Sequence, residues 1–512
     1  MSMTTDRRSG ADRKWWILAV LGVAQLMVTL DATIVNIALP SAQHALGFDN
    51  GDRQWVVTAY ALSFGSLLLL GGRLGNLFGV QRVFIIGLAG FAISSAVGGA
   101  ADGFGMLVAA RAAQGAFGAI VAPTALSLLS QTFTDPRQRA RAFGVFGAIA
   151  GSGAAFGLII GGVLTEYLSW RWCMYVNLVF AGVAIAGAST LLRGRNQRVH
   201  TPLDIPGVLL VSTGLFSLVY GFSHAETGGW SSPVTVGFLA AAAVLLISFV
   251  ITQTRVANPL LPLRVVLNRN RGGAYLAIFT VGVGMFGVFL FLTYYLQQTL
   301  GYSAVQSGLA FLPMTGAVIL MAQIGTNVLT RWLGPRWLIG PGLVIAALGM
   351  WMLNGLDLTS SYTSGVLPAV LVFGAGLGLT FSSAMNTATA GVRPEDSGVA
   401  SAMVNTGQQV GGSVGTSLLN TIAATSVADY IRAHPSPNTA DPTSIAGTVA
   451  QATMHSYTVA FNISAAILLA GGVIAAIVLR STATEPIPAA DGAGSPARSQ
   501  DSELAGDLAA AL

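Results

Sequence analysis

The sequence predicts an all-α polytopic membrane protein with fourteen spans: two six-helix halves with two further helices inserted between them. Composition is the first observation behind this. Of 512 residues, 53% are hydrophobic and only 9% are charged, against about 25% charge in an ordinary soluble domain. The second is segment length: the apolar runs are mostly about 20 residues or more, the length at which a helix crosses the hydrocarbon, whereas barrel strands would be short and alternating. The third is charge placement. Of the 25 Lys and Arg residues, twenty-one fall on one face of the fourteen-span map, three (Arg53, Arg171 and Arg432) fall on the other, and Arg111 lies inside a span. Such asymmetry puts both termini on the cytoplasmic side, and a missed span would scramble it.

The spans fall near 15–39, 53–72, 82–101, 105–130, 141–165 and 171–192, then 204–223 and 233–252, then 272–297, 305–330, 336–354, 363–390, 398–424 and 456–480. The divisions follow: 1–14 precedes the first span, 15–192 is the N-terminal half, 204–252 the inserted pair, 272–480 the C-terminal half, and 481–512 a tail rich in Ala, Gly and Pro, for which disorder is expected. An offset of 258 residues aligns Pro136 with Pro394, and Gly153 and Gly157 with Gly411 and Gly415, so spans 5 and 13 read as counterparts. Two related halves around a midplane site are a transporter architecture. The segment 425–455 reads as the longest outer loop, and the five histidines fall in loops or at span edges, leaving none as a deep proton relay.

Span 1 carries the most informative residue. Asp31, in LDATIVNIALP, is the only acidic residue placed deep in a span. An intramembrane carboxylate costs at least a few kcal/mol unless it is paired, hydrated or protonated, and it marks a proton-coupling function by default. Asp31 lies about 12 Å, and Arg111 of span 4 about 9 Å, from the same outer end at 1.5 Å per residue, so the two can meet. Burial favours the neutral acid and a neighbouring arginine the carboxylate; a coupling group needs that balance. The rival reading is a static ion pair tying two helices together.

The loop GGRLGNLFGVQR between spans 2 and 3 contains Gly72, Asn76, Gly79 and Arg82. Gly79 suits a tight turn, and Arg82 a helix end or the lipid surface. Span 5 is a glycine ladder. Gly153, Gly157 and Gly161 form one stripe, and Gly144, Gly147 and Gly151 lie roughly opposite. Two bare faces admit two close helical neighbours, in a moving interface between halves or in static packing. Gln25, Asn36, Tyr60, Gln114, Tyr294, Asn405 and Gln408 are polar or aromatic groups within spans. Together they suit a cavity for lipophilic ligands; singly, each is as well explained by an interhelical hydrogen bond.

Several chemistries are excluded. Lys14 is the only lysine, so no Walker A motif exists. One cysteine, Cys173, and no HExxH leave no metal site. The G-x-S-x-G string from Gly411 to Gly415 lies within a span with no deep histidine to activate Ser413, so no enzyme is expected. The net charge of +5 does not point to a nucleic-acid partner, and none is expected.

Over about residues 15–480 the sequence resembles the fourteen-helix drug:proton antiporters of the major facilitator superfamily, the EmrB/QacA-like branch. The resemblance rests on LDATIVNIALP, WVVTAYAL (Trp55–Leu62), LVAARAAQGAFGA, SWRWCMYVN (Ser169–Asn177), LDIPG (Leu203–Gly207), NPLLPLRV (Asn258–Val265) and VASAMVNTGQQVGGSVG. It implies alternating access powered by the proton-motive force, with no cofactor, and places Asp31 and Arg111 in the coupling region. It implies partners limited to a lipophilic small molecule, protons and membrane lipids, and a functional monomer in the cytoplasmic (inner) membrane. It also implies an antiporter glycine signature on helix 5, met here by Gly144, Gly153, Gly157, Gly161 and Gly162, with Leu158 where the family has proline. Where the family has Asp-Arg in the loop between helices 2 and 3, this chain has Asn76 and Leu77; an Asn keeps a hydrogen bond but not the charge of a latch. The expected function is export of antibiotics or other lipophilic drugs in exchange for protons. One rival is export of one lipid or metabolite on the same fold, separable by accumulation assays with dye panels. The other is a non-transporting membrane sensor, which predicts no phenotype for Asp31→Asn.

Overall fold

Fourteen long helices carry the computed structural model, which describes residues 3–48, 53–192, 203–435 and 442–480; within these, some side chains, including those of Asn36 and Leu158, lie outside the described set. We number the helices α1 Met3–Leu46, α2 Arg53–Phe78, α3 Val80–Gly99, α4 Phe104–Thr132, α5 Pro136–Tyr167, α6 Trp172–Leu191, α7 Ile205–Gly228 and α8 Pro233–Arg255. The series continues with α9 Arg269–Tyr294, α10 Leu312–Asn327, α11 Pro335–Met352, α12 Leu367–Thr389, α13 Ser397–Ala433 and α14 Pro442–Val478. No strand occurs among the described residues. Twelve of these helices are long and apolar enough to cross a membrane; the two that are not, α5 and α13, are glycine-rich.

Local chemistry sets the helix starts. Asp135 accepts from Gln138 N at 2.9 Å and Pro136 opens α5. Asp204 accepts from Gly207 N at 2.9 Å at the start of α7, and Asn268 from Arg271 N at 3.2 Å at the start of α9. These side chains satisfy amides that a helix leaves bare. Between α2 and α3 the chain turns on Gly79, whose φ of 96° lies in the region that favours glycine.

The halves repeat one packing plan. In the first, α1 packs on α5 and α6, α2 on α4, and α3 on α4 and α6; in the second, α9 packs on α13 and α14, α10 on α12, and α11 on α12 and α14. Across the seam, α5 packs on α10 and α12 of the second half, and α13 packs on α2 and α4 of the first. The inserted pair lies against the flank of this seam, α7 touching both α2 and α13. Val211, Leu215 and Phe249 bury there with Leu69, Val399 and Ala402. Asp204 ties the pair to the following connector by accepting from Gln253 Nε2 at 2.7 Å and Leu260 N at 3.3 Å.

One sequence expectation fails. The segment 425–455 is not an outer loop: α13 continues to Ala433 and α14 begins at Pro442. Each helix has 37 residues, about 55 Å at 1.5 Å per residue, well beyond an approximately 30 Å hydrocarbon core. Polar residues such as Asp429, Arg432 and Gln451 made the stretch look like loop, but helices keep their backbone bonds outside lipid as well. The tail after 480 lies outside the described residues.

Candidate functional site

Asp31 is fully buried, at 0% exposure, and Arg111 is at 1%. Arg111 Nη1 donates to Asp31 Oδ2 at 2.6 Å and to Gln114 Oε1 at 2.9 Å, and its Nε donates to the Val56 carbonyl at 3.2 Å. Its guanidinium stacks 4.4 Å above the Tyr60 ring. The other carboxylate oxygen, Asp31 Oδ1, accepts from Asn177 Nδ2 at 2.7 Å and Gln114 Nε2 at 3.1 Å. Ser95 Oγ accepts from both amides, from Asn177 Nδ2 at 2.9 Å. Five helices of the first half, α1, α2, α3, α4 and α6, thus meet in one bonded cluster around the Asp31–Arg111 pair. A buried ion pair loses several kcal/mol of hydration per ion, and this is offset only by good geometry and further hydrogen bonds. Three donors on one carboxylate supply them.

The cluster lies inside one half rather than between halves. It absorbs Gln114 and Tyr60, which the sequence suggested for a ligand cavity; at 0% and 5% exposure they offer no surface to a ligand in this conformation. Asn177 and Ser95 were not singled out from sequence, though Asn177 closes the SWRWCMYVN string.

The seam between halves is built differently. At the arginine-rich end, Asn76 Nδ2 donates to the Glu395 carbonyl at 2.7 Å. Arg139 donates to Asn386 Oδ1 at 3.2 Å, the Thr389 carbonyl at 2.7 Å and Thr389 Oγ1 at 2.9 Å. Ser127 and Ser397 share a hydrogen bond at 3.1 Å, and Gln131 Nε2 reaches Ser397 Oγ at 3.4 Å. The 258-residue offset relates Arg139 to Ser397 and Gln131 to Thr389, so one contact is made twice, once in each sense. A charged contact flanks them: Arg264, on the connector after the inserted pair, bonds buried Asp396 at 2.9 Å.

The glycines sort by face. A Cβ on Gly153, Gly157 or Gly161 would strike Thr29, Thr33 or Ile34, so that stripe seats α1 within the first half. Gly144 and Gly147 face Thr326 on α10 and Phe381 on α12, and Gly162 faces Val305, all in the second half. The seam therefore runs along the second face of α5 and not along the longer stripe. A Cβ on Gly72 would lie 2.5 Å from the Gly398 carbonyl oxygen, so α2 and α13 meet backbone to backbone. Arg82 is exposed at the same end.

The remaining polar candidates scatter. Gln25 is buried at 7% on α1, Asn405 Nδ2 bonds its own helix at Ser401 O (3.0 Å), and Gln408 packs by its backbone on Gly282. Tyr294, 38% exposed, lies at the far end of α9 against Phe291. Asn36's side chain lies outside the described residues. Val281, Met285, Val318, Leu377 and Phe381 of the second half, with Gly147 of α5, line a small apolar gap at the seam. Apart from Gly147 of the glycine ladder, these do not stand out in the sequence, because apolar residues are the background of any span.

A helical bundle of two repeated halves meeting at a seam, with a charged cluster buried in one of them, has the organisation of a membrane transporter. The chain belongs to the Major Facilitator Superfamily, whose family model matches residues 21–416. It is 47% identical over 472 residues to a puromycin resistance protein of Streptomyces alboniger, covering 92% of each chain. It is 37% identical to a cephamycin export protein of Amycolatopsis lactamdurans, over 82% of this chain and 87% of that one. A tetracenomycin C resistance and export protein of Streptomyces glaucescens is 34% identical, over 81% and 77%. The fold is also that of a human organic anion transporter of known structure, with TM-score 0.58 and 14% identity over 89% of this chain and 99% of that one.

Proposed function

We propose that the protein exports antibiotics or related lipophilic small molecules across the cytoplasmic membrane in exchange for protons, with both termini in the cytoplasm. The observation that carries the coupling is the Asp31–Arg111 pair: one titratable carboxylate, sealed from solvent and matched to one cation. Protonating Asp31 removes the anion and leaves Arg111 as a buried cation without its partner, an arrangement that costs several kcal/mol. That cost bears on α2 and α4, the helices that meet α13 at the seam, and it is relieved by a movement of the whole half against the other. Proton arrival and seam opening are thereby linked. The resistance and export functions named for the similar Streptomyces and Amycolatopsis proteins support the substrate class. No cofactor is needed: one charge moving inward through 100 mV supplies about 2.3 kcal/mol before any pH gradient. The seam contacts at the arginine-rich end fit the conformation closed to the cytoplasm, the protein acting as a monomer.

Uptake of puromycin and a panel of other lipophilic antibiotics into inside-out vesicles, with and without an imposed proton gradient, tests this. Gradient-driven uptake that Asp31→Asn abolishes is the expected result. Uptake unchanged by Asp31→Asn would remove Asp31 from coupling.

A further inference from the structure

Every partner of the Asp31 carboxylate is an N–H donor: Arg111 Nη1, Gln114 Nε2 and Asn177 Nδ2. That shell suits an anion. A protonated Asp31 must instead donate, and a buried hydroxyl without an acceptor is costly. The shell contains two carboxamide oxygens. Gln114 Oε1 is occupied by Arg111 Nη1 at 2.9 Å. Asn177 Oδ1 is buried and accepts no hydrogen bond, in a residue with 0% exposure. A buried carbonyl oxygen without a partner is uncommon and calls for a functional account. Its amide nitrogen already sits 2.7 Å from Asp31 Oδ1. A half-turn about the last side-chain torsion, which is broad and roughly two-fold for Asn, exchanges nitrogen for oxygen at that position. Ser95 Oγ, at 2.9 Å from the same nitrogen, is a hydroxyl and can turn from acceptor to donor to follow it.

We propose that Asn177 is the proton-state switch of the cluster: its amide donates to the Asp31 carboxylate and, rotated, accepts from the Asp31 carboxylic acid. This rests on the reading of Asp31 as the coupling group. The proton comes from the aqueous phase and ends on a carboxyl oxygen of Asp31; no covalent bond other than O–H is made. Asn177 holds no proton of the exchange and is a positioning residue. The titratable groups that face Asp31 are Arg111 on α4, Tyr60 on α2 and Cys173 on α6, while the ionisable residues of α3 and α5 sit at the helix ends. Tyr60 is the competing acceptor, since its buried hydroxyl also lacks a partner; but it bonds neither Asp31 oxygen, whereas the Asn177 amide bonds one of them directly.

Infrared difference spectroscopy of the purified protein between neutral and acidic pH reads the switch through the carboxylic acid C=O stretch. Wild type is expected to show an acid band that Asp31→Asn removes. Asn177→Leu is expected to move that band to higher wavenumber, as a free acid does, and Asn177→Ala, which removes the amide without adding bulk, is expected to move it the same way should the leucine variant fail to fold. Tyr60→Phe is expected to leave it in place. A band that stays put in both Asn177 variants, or that moves with Tyr60→Phe instead, overturns the switch and leaves Asp31 as the coupling group. Absence of any Asp31-dependent band overturns the coupling reading itself, and the switch with it.

Discussion

The contacts that hold the first half together around Asp31 and those that join the two halves differ in kind. Around Asp31 the bonds are charged, buried and drawn from five helices of one half. At the seam, apart from the three bonds of the part-exposed Arg139 guanidinium, they are single neutral hydrogen bonds to backbone carbonyls and hydroxyls, such as Asn76 to Glu395 O and Ser127 to Ser397. A net contribution of about 0.5–1.5 kcal/mol per such bond lets a seam open and reclose, because water replaces each bond as it breaks. A buried ion pair has no such substitute. The difference teaches which region moves as a gate and which responds to a proton.

The comparison breaks most readily at Arg111. Arg111→Leu leaves Asp31 as a buried unpaired charge, and we expect about 3–5 kcal/mol of destabilisation, measured by unfolding in detergent. The double variant Asp31→Leu/Arg111→Leu should regain most of that stability while losing proton-driven transport. A single variant as stable as wild type would mean the pair is not sealed.

At the seam, Gly72→Val sharpens the contrast. Its Cβ would meet the Gly398 carbonyl at 2.5 Å, so the closed seam should lose about 1–3 kcal/mol, as overpacking does, with the halves still folded. Cross-linking between α2 and α13 should fall with unchanged melting of the halves; efficient cross-linking would show that the backbones are not in contact.

A smaller effect is expected at Asn76, with an unusual sign. Asn76→Asp restores the residue usual in similar antiporters, yet here the side chain donates to a carbonyl at 2.7 Å. A carboxylate cannot donate, and it would face buried Asp396 nearby in the chain. We expect the closed seam to weaken by about 1–3 kcal/mol, read as faster opening in single-molecule or spin-label measurements. A tighter seam would contradict the bond assigned to Asn76.

The smallest effect belongs to Arg264→Gln. Arg264 is 52% exposed although Asp396 is buried, and glutamine can still donate to that carboxylate, so the substitution should cost about 1 kcal/mol or less and fade as salt is raised. A loss that persists in high salt would place this contact with the buried cluster rather than with the seam.

Much of this was legible in the sequence. Apolar run lengths and arginine asymmetry set the fourteen helices, and the 258-residue offset pointed to the repeat. Asp31 stood out because a carboxylate in a span is expensive, and Arg111 because it alone among the basic residues fell inside a span. The rest depended on three dimensions. Asn177 and Ser95 are ordinary interhelical polar residues until the fold sets Asn177 on Asp31 Oδ1 and Ser95 on the Asn177 and Gln114 amides. Gly72 and Gly398 lie 326 positions apart, and nothing local says that they touch. The two glycine faces of α5 were visible as stripes, but which stripe met the other half was set by the handedness of packing. The helical continuation of α13 and α14 beyond the apolar stretch escaped because hydropathy reports lipid contact and not helix length.

The central claim is that protonation of Asp31 moves the seam and leaves the first half intact. Spin labels in a Cys173→Ala background test it, at exposed Arg137 and Arg393 across the seam and at Arg82 and Arg137 within the half. On acidification the Arg137–Arg393 distance distribution should shift, the Arg82–Arg137 distribution should stay, and Asp31→Asn should abolish the response. A seam shift that survives Asp31→Asn, or an equal shift within the half, would contradict the account.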